Sequence, residues 1–177
     1  MDKSRTVKIS GPIKNLRVEA NKMLKMADTS KNPISVVIDS PGGNVIGGLP
    51  LITAIDRIRS RGIQVNCVVD GMAMSMATHI IAACSNRYAM PTSLIMWHPI
   101  AINLMYARLT VKSTHQVKTQ LVLLSKYLDT RLRLALGLKK AKFLEYHEGE
   151  YILFAETLEK KVAPKFLTLV SDIRTKK

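Results

Sequence analysis

Short apolar runs alternate along the chain with longer segments in which apolar residues recur at helical spacing. The segments Val45–Ile58 and Met76–Ala83 each follow an apolar run after a short turn, and they predict helices. A repeated unit of strand, turn and helix is typical of an α/β fold with parallel strands. The runs that predict strands, rich in β-branched and other apolar residues, are Thr6–Ile9, Ile34–Ile38, Gln64–Val69 and Ser93–Trp97.

One long helix is predicted over Ser113–Leu136, and its apolar residues lie on more than one side. A helix on the surface of a domain needs only one apolar stripe, so a second apolar face predicts additional burial. Periodicity leaves two explanations open, a deep core within the chain and a contact between subunits. The first face carries Val117, Leu121, Leu124, Leu128 and Ala135, and the second carries Leu123, Tyr127 and Leu134.

Length and composition fit a single domain spanning residues 1–177, because 47% of the residues are hydrophobic and no linker or low-complexity stretch divides the chain. The N-terminus is charged, without the apolar stretch of a signal peptide, and no apolar run is long enough to span a bilayer. Cys67 and Cys84 lie in apolar surroundings without metal-binding spacing. We therefore expect buried free thiols, neither a metal nor a cofactor, and a cytoplasmic location.

The net charge of +14 is distributed unevenly. Between Val36 and Ile100 four arginines are matched by three aspartates, so the basic excess lies toward both ends of the chain. Such a surface can attract nucleic acid, an anionic membrane or an acidic partner, or it can simply keep the protein soluble. Because no nucleic-acid motif or aromatic platform accompanies the charge, nucleic acid is the less favoured partner.

Ser75 lies between a predicted strand and a predicted helix, in the run Asp70-Gly71-Met72-Ala73-Met74-Ser75. We expect a turn to begin at Asp70 and the helix to begin at Met76, which puts Ser75 on a sharp turn beside free backbone amides. Such amides can hold an oxyanion next to a nucleophile. A serine at a helix start is also a common N-cap, so position alone does not identify a nucleophile.

Two further features point to chemistry near Ser75. The turn Ser40-Pro41-Gly42-Gly43 follows a predicted strand, and paired glycines let a backbone amide approach a ligand closely, although an ordinary tight turn uses the same residues. His98 ends the fourth predicted strand, 23 residues after Ser75. That separation allows a helix and a returning strand to bring the two side chains together, and histidine is the usual base for activating a serine.

The motifs Ser-Pro-Gly-Gly, Gly-Met-Ala-Met-Ser-Met-Ala and Met-Trp-His-Pro resemble, in this order, those of the proteolytic subunits of the Clp protease, the ClpP family. The resemblance covers most of the chain and implies a ClpP/crotonase-like fold with stacked βαβ units and a long handle helix. It implies a serine endopeptidase in which Ser75 is the nucleophile and His98 is the general base. The amides of Gly43 and Met76 match the oxyanion donors of the family.

The acid of the implied triad departs from the family pattern. The family has an aspartate before a short strand and a final helix, whereas this chain has His147-Glu148-Gly149-Glu150. Counting back from the following Ile-Leu-Phe-Ala segment places Glu150 at the acid position, with Glu148 as the alternative. A glutamate has a different reach from an aspartate, so a loosely aligned or inactive triad, or a plain solvated loop, stays open.

The resemblance also implies a homo-oligomer of stacked rings that encloses a chamber for polypeptide substrates and receives them from an ATP-dependent unfoldase. The long helix matches the handle between such rings. The short polar N-terminus and the loss of the family's glycine-rich stretch at residues 100–105 depart from this pattern. Three alternatives therefore remain: a non-catalytic structural or regulatory subunit, a viral capsid-maturation protease, and acyl-thioester chemistry on a crotonase-like fold. The order of serine and histidine favours the peptidase.

Overall fold

The computed structural model describes residues 2–101 and 110–171. The strands are β1 (Thr6–Ser10), β2 (Ile34–Ser40), β3 (Val65–Met74), β4 (Asn86–Ala89), β5 (Leu94–Met96), β6 (Leu153–Phe154) and β7 (Thr168–Leu169). The helices are α1 (Arg17–Thr29), α2 (Val45–Ser60), α3 (Met76–Ala83), α4 (Val111–Leu136), α5 (Lys140–Gly149) and α6 (Ala155–Thr157). A 3₁₀ turn (Lys3–Arg5) precedes β1, and a π-helical turn (Leu158–Val162) follows α6.

The sheet is mostly parallel and branches at β3. Its main path runs β1-β2-β3-β4-β7, with every neighbouring pair parallel. The first half of β3 pairs with β4, whereas Met72–Met74 pair with β5, which in turn pairs antiparallel with β6. The predicted α/β fold with parallel strands is confirmed, and the branch leads the end of β3 away from β4.

Helix α3 occupies the centre of the molecule. All eight of its residues are buried, and six of them are apolar, the exceptions being Thr78 and His79. It packs between α2 and α4, while α1 packs on α2. The core around it is formed by apolar side chains of β2 and β3 together with α2, among them Ile38, Ile55 and Val65.

The predicted bounds agree with the structure for α3 and differ from it for β3. Helix α3 spans Met76–Ala83 as predicted, and the predicted long helix is confirmed as α4, which begins two residues earlier, at Val111. The turn predicted to begin at Asp70 is wrong, because β3 continues to Met74. Pairing with β5 keeps this part extended, and the Met72 amide donates a hydrogen bond of 3.2 Å to the Asp39 carboxylate.

Helix α4 buries only one of its two apolar faces within the chain. Leu128 and Leu132 are fully buried, whereas Leu123, Tyr127 and Leu134 are more than half exposed. A deep core within the chain therefore does not account for the second face. The helix is held to α2 by Arg131, whose guanidinium donates to both carboxylate oxygens of Asp56, one of them at 2.7 Å.

The expectation of free thiols is wrong, because Cys67 and Cys84 form a disulfide. Cys67 lies on β3 and Cys84 directly follows α3, with their Cα atoms 5.8 Å apart. The Ser85 amide donates to the Val65 carbonyl at 2.8 Å, and this contact returns the chain to the start of β3. The proximity depends on a tertiary contact, so a sequence separation of 17 residues without a CxxC motif gave no sign of it.

Two kinds of feature are absent from the described residues. Across residues 2–101 and 110–171, no helix combines the length and apolarity that a bilayer crossing requires. Within the same ranges, no three or more His, Cys, Asp or Glu side chains are grouped as a metal site would need.

Candidate active site

Ser75 occupies the single residue between β3 and α3, with a backbone that few L-residues adopt. Its φ is 54° and its ψ is −123°, so the chain reverses sharply and α3 starts at the next residue. Strained backbone of this kind persists only where the surroundings hold it. Here the Ser75 amide donates to the Met96 carbonyl at 2.9 Å, and the Thr78 hydroxyl lies within hydrogen-bond distance of the Ala73 and Met96 carbonyls.

His98 meets Ser75 directly. Its Nε2 lies 2.8 Å from Ser75 Oγ, a hydrogen-bond distance, and the imidazole is only partly exposed. The preceding residue fixes the position of this segment, because Trp97 is buried and stacks on Phe143 of α5 with ring centroids 6.1 Å apart. Strand β5, which pairs with the end of β3, therefore places His98 beside the serine.

Glu150 is the glutamate that the structure brings to His98. Its Oε1 lies 3.9 Å from His98 Nδ1, which is longer than a hydrogen bond, and its side chain is 64% exposed. Glu150 ends α5 in a left-handed conformation with φ of 51°. Glu148, the alternative, lies exposed on α5 and forms no ion pair within the described part of the chain. The arrangement is a serine, a histidine and a more distant carboxylate.

Gly43 lines the same cleft as Ser75, and Met76 directly follows the serine at the start of α3. Neither the Gly43 nor the Met76 amide donates a hydrogen bond to another group of residues 2–101 and 110–171. The Gly42–Gly43 turn lies against the serine so closely that a Cβ on Gly42 would stand 2.6 Å from Ser75 Cβ and 3.0 Å from the Met76 amide nitrogen. Both glycines have positive φ, and only glycine permits this approach.

A cleft of about 660 Å³ opens beside the serine. Ser75, His98 and Gly43 line one part of it, and apolar side chains of α2 and α4, among them Ile46 and Leu124, line another. Such a cleft can hold an apolar side chain next to the reacting group.

The sequence interpretation did not single out His79, which also lines the cleft. His79 is buried one helical turn after Ser75, and burial lowers its pKa to about 4, so the ring is neutral at pH 7. The Asp129 carboxylate and a hydrogen bond to the Leu128 carbonyl act against this shift in pKa. A histidine within a predicted helix whose other residues are mostly apolar was the signal available in the sequence.

Comparison with known proteins gives a consistent result. The family model for the Clp protease matches residues 1–157. ATP-dependent Clp protease proteolytic subunit 2 of Chlamydia abortus is 29% identical over 150 residues, which cover 84% of this chain and 70% of that protein. Subunit 2 of Chlamydia trachomatis and subunit 1 of Chlamydia felis are similar at 28% and 29% identity with the same coverage. The family resemblance of the three motifs is thereby confirmed.

Proposed function

Because the chain belongs to the Clp protease family, we propose that it is a serine endopeptidase with Ser75 as nucleophile and His98 as general base. The observation that carries this proposal is the 2.8 Å distance between Ser75 Oγ and His98 Nε2 on a strained strand-to-helix turn. A nucleophile and a base within hydrogen-bond reach are the minimum that covalent hydrolysis of a peptide bond requires.

The reaction follows from the positions of the two side chains. Ser75 Oγ attacks the peptide carbonyl carbon while His98 Nε2 accepts its proton, and the imidazolium returns that proton to the leaving amine. Water then attacks the acyl-enzyme with the same base assisting, and Ser75 is regenerated. The cleft beside Ser75 is suited to hold an apolar side chain of the substrate during both steps.

Two groups assist the proposed reaction. The Gly43 and Met76 amides stabilise the oxyanion of the tetrahedral intermediate, and losing one such donor typically raises the barrier by about 3 kcal/mol. Glu150 orients His98 and stabilises the imidazolium from the Nδ1 side. At 3.9 Å this contact has to shorten by about 1 Å to become a charge-assisted hydrogen bond.

We propose further that the substrate is an extended polypeptide and that copies of this chain assemble into stacked rings around a chamber. The names of the relatives describe subunits of an ATP-dependent protease, which supports an assembly and an ATP-driven unfoldase as partner. The exposed apolar face of α4 supports a contact between copies, because three large side chains there are more than half exposed.

Labelling with a fluorophosphonate probe tests the peptidase. We expect the probe on Ser75, located by mass spectrometry, no labelling in Ser75→Ala, and labelling slowed by at least about 10²-fold in His98→Ala. His115→Ala is the matched control, since His115 is an exposed histidine of α4 and the variant should label at the wild-type rate. Absence of label from folded, assembled protein would overturn the proposal.

A non-catalytic subunit of the same family is the second candidate. The observation that favours it is Glu150, which is exposed and does not reach hydrogen-bond distance of His98. The same labelling experiment separates the two candidates, because a non-catalytic subunit leaves Ser75 unlabelled whether His98 is present or not.

A further inference from the structure

A second polar cluster lies buried behind the proposed active site. It joins His79 of α3, Asp129 of α4 and His147 of α5, and both histidines are less than a tenth exposed. His147 Nε2 lies 3.4 Å from Asp129 Oδ1, and the Asp129 charge also acts on the His79 ring. Three helices therefore meet around one carboxylate.

The polar atoms of this cluster are poorly satisfied. Asp129 Oδ1, His79 Nδ1 and both ring nitrogens of His147 are buried without a hydrogen-bond partner in the part of the chain that the structure describes. Buried polar groups are nearly always paired, and apolar side chains of similar size would fill the same space with less loss of hydration. Packing alone therefore does not explain why these polar side chains are buried together.

The position of the cluster relative to Ser75, His98 and Glu150 gives a reason for its presence. His79 follows Ser75 by one turn of α3, and His147 lies in the last turn of α5, three residues before Glu150. The ring of His147 stacks on Phe143 with centroids 5.2 Å apart, and Phe143 stacks on Trp97, the neighbour of His98. Ser75 and Glu150 are thus each one turn or less from a residue of this buried group, and His98 is connected to it through the stacked rings of Trp97 and Phe143.

We propose that the Asp129–His147 pair is a positioning element that holds the end of α5, and with it Glu150, against His98. The Asp129 carboxylate attracts the polar edge of the His147 ring, and the ring is fixed on its flat side by Phe143. Without the pair, the last turn of α5 keeps apolar contacts but loses its one electrostatic tie to α4 among the described residues. Glu150 then has no fixed distance from His98.

This inference rests on the proposed function, and a double-mutant cycle in the full chain tests it. The measured quantity is the second-order rate constant of fluorophosphonate labelling at Ser75. We expect His147→Leu to lower it about tenfold in the wild-type background and by less than twofold in the Glu150→Gln background. His147→Gln, which restores an N–H donor toward Asp129, should recover most of the lost rate.

Rescue by the conservative variant is the readout that a merely structural role would not move. Glutamine lacks the ring that stacks on Phe143, so a role in packing alone predicts the same low rate for His147→Gln as for His147→Leu. Leu132→Val, a packing change on α4, should lower the labelling rate by less than twofold in either background.

The outcomes separate the two proposals. Wild-type protein that takes no label overturns the proposed function and the inference with it. Wild-type protein that labels while His147→Leu lowers the rate by the same factor in both backgrounds overturns the inference alone. If His147→Leu does not fold, Asp129→Asn takes its place in the cycle, with circular dichroism and assembly size recorded for every variant.

Discussion

At the scale of single residues, the proposed site depends on how closely two backbone segments approach. Ser75 accepts a φ of 54° although it is not a glycine, and the space around it is kept free by Gly42. A side chain at position 42 would meet the Met74 carbonyl oxygen at 2.5 Å, a distance that backbone atoms can relieve only by moving Ser75. The conformation of Ser75 therefore depends on the absence of a Cβ at position 42.

Replacement of Gly42 by alanine tests this coupling. Gly62→Ala is the matched control, because Gly62 has φ of +75° but open space where a Cβ would stand. We expect the control to cost about 1 kcal/mol in the free energy of unfolding and Gly42→Ala to cost about 1–3 kcal/mol more. Labelling of Ser75 should fall about 10²-fold in Gly42→Ala alone. If the two substitutions change the free energy of unfolding, measured by denaturant titration, and the labelling rate by equal amounts, the close approach of Gly42 does not fix the conformation of Ser75.

His79 provides a prediction on pH and stability. Its pKa is lowered from 6.5 to about 4, chiefly by burial, so between these values the unfolded chain binds a proton that the folded chain does not. The free energy of unfolding therefore falls as pH decreases through this window, by about 2 kcal/mol at pH 5 relative to pH 7.5. Asp129 and the Leu128 carbonyl oppose this shift in pKa, while His147 and His98 add to it.

The measurement is urea denaturation of wild type and His79→Gln at both pH values. The fall in stability between pH 7.5 and pH 5 should be smaller by about 2 kcal/mol in the variant, because glutamine does not titrate. If the free energy of unfolding falls by the same amount in the two proteins, burial does not lower the pKa of His79.

At the scale of elements, the alternation of apolar runs predicted β1, β2, β3 and β5 and the helices α2, α3 and α4, but it did not predict β4, β6 or β7. Helix α3 was predicted with its observed bounds because six of the eight residues from Met76 to Ala83 are apolar and Ser75 precedes this run. Strand β3 was predicted too short, since Asp70 and Gly71 have the composition of a turn. Contacts with residues distant in sequence carry the strand past them, because Met72–Met74 pair with β5, Ala73 pairs with Ser40 of β2, and the Met72 amide donates to the Asp39 carboxylate.

The candidate site was predictable to the extent that each residue has a local signal. Ser75 and His98 follow strands in recognisable motifs, and the structure brings them together. The disulfide, Asp129 and His147 had no such signal, because their partners come from other elements and no spacing encodes the contact. Glu150 lies between these cases, because a count along the chain located it but did not predict its 3.9 Å separation from His98.

At the scale of the whole molecule, two surface properties affect the association of copies: the net charge and the exposed apolar face of α4. The formal charge of +14 opposes association of copies unless specific contacts offset the repulsion. The second face of α4 offers such contacts, with Leu123 61% exposed and Tyr127 and Leu134 beside it. Burying one large apolar side chain contributes about 1.5–3 kcal/mol, so burial of this face in a contact between copies would act against the repulsion.

Replacement of Leu123 by glutamate is expected to weaken this association. The variant should sediment as smaller species than wild type at the same protein concentration, because an unpaired carboxylate in an apolar contact is strongly unfavourable. Val18→Glu is the control, since Val18 of α1 is 76% exposed and lies on a different helix. Higher salt should favour assembly of the wild-type protein by screening its net charge, and it should not restore Leu123→Glu, whose defect is lost apolar contact and buried charge. Unchanged sedimentation of Leu123→Glu would mean that copies associate through another surface and that the exposed face of α4 has a different partner.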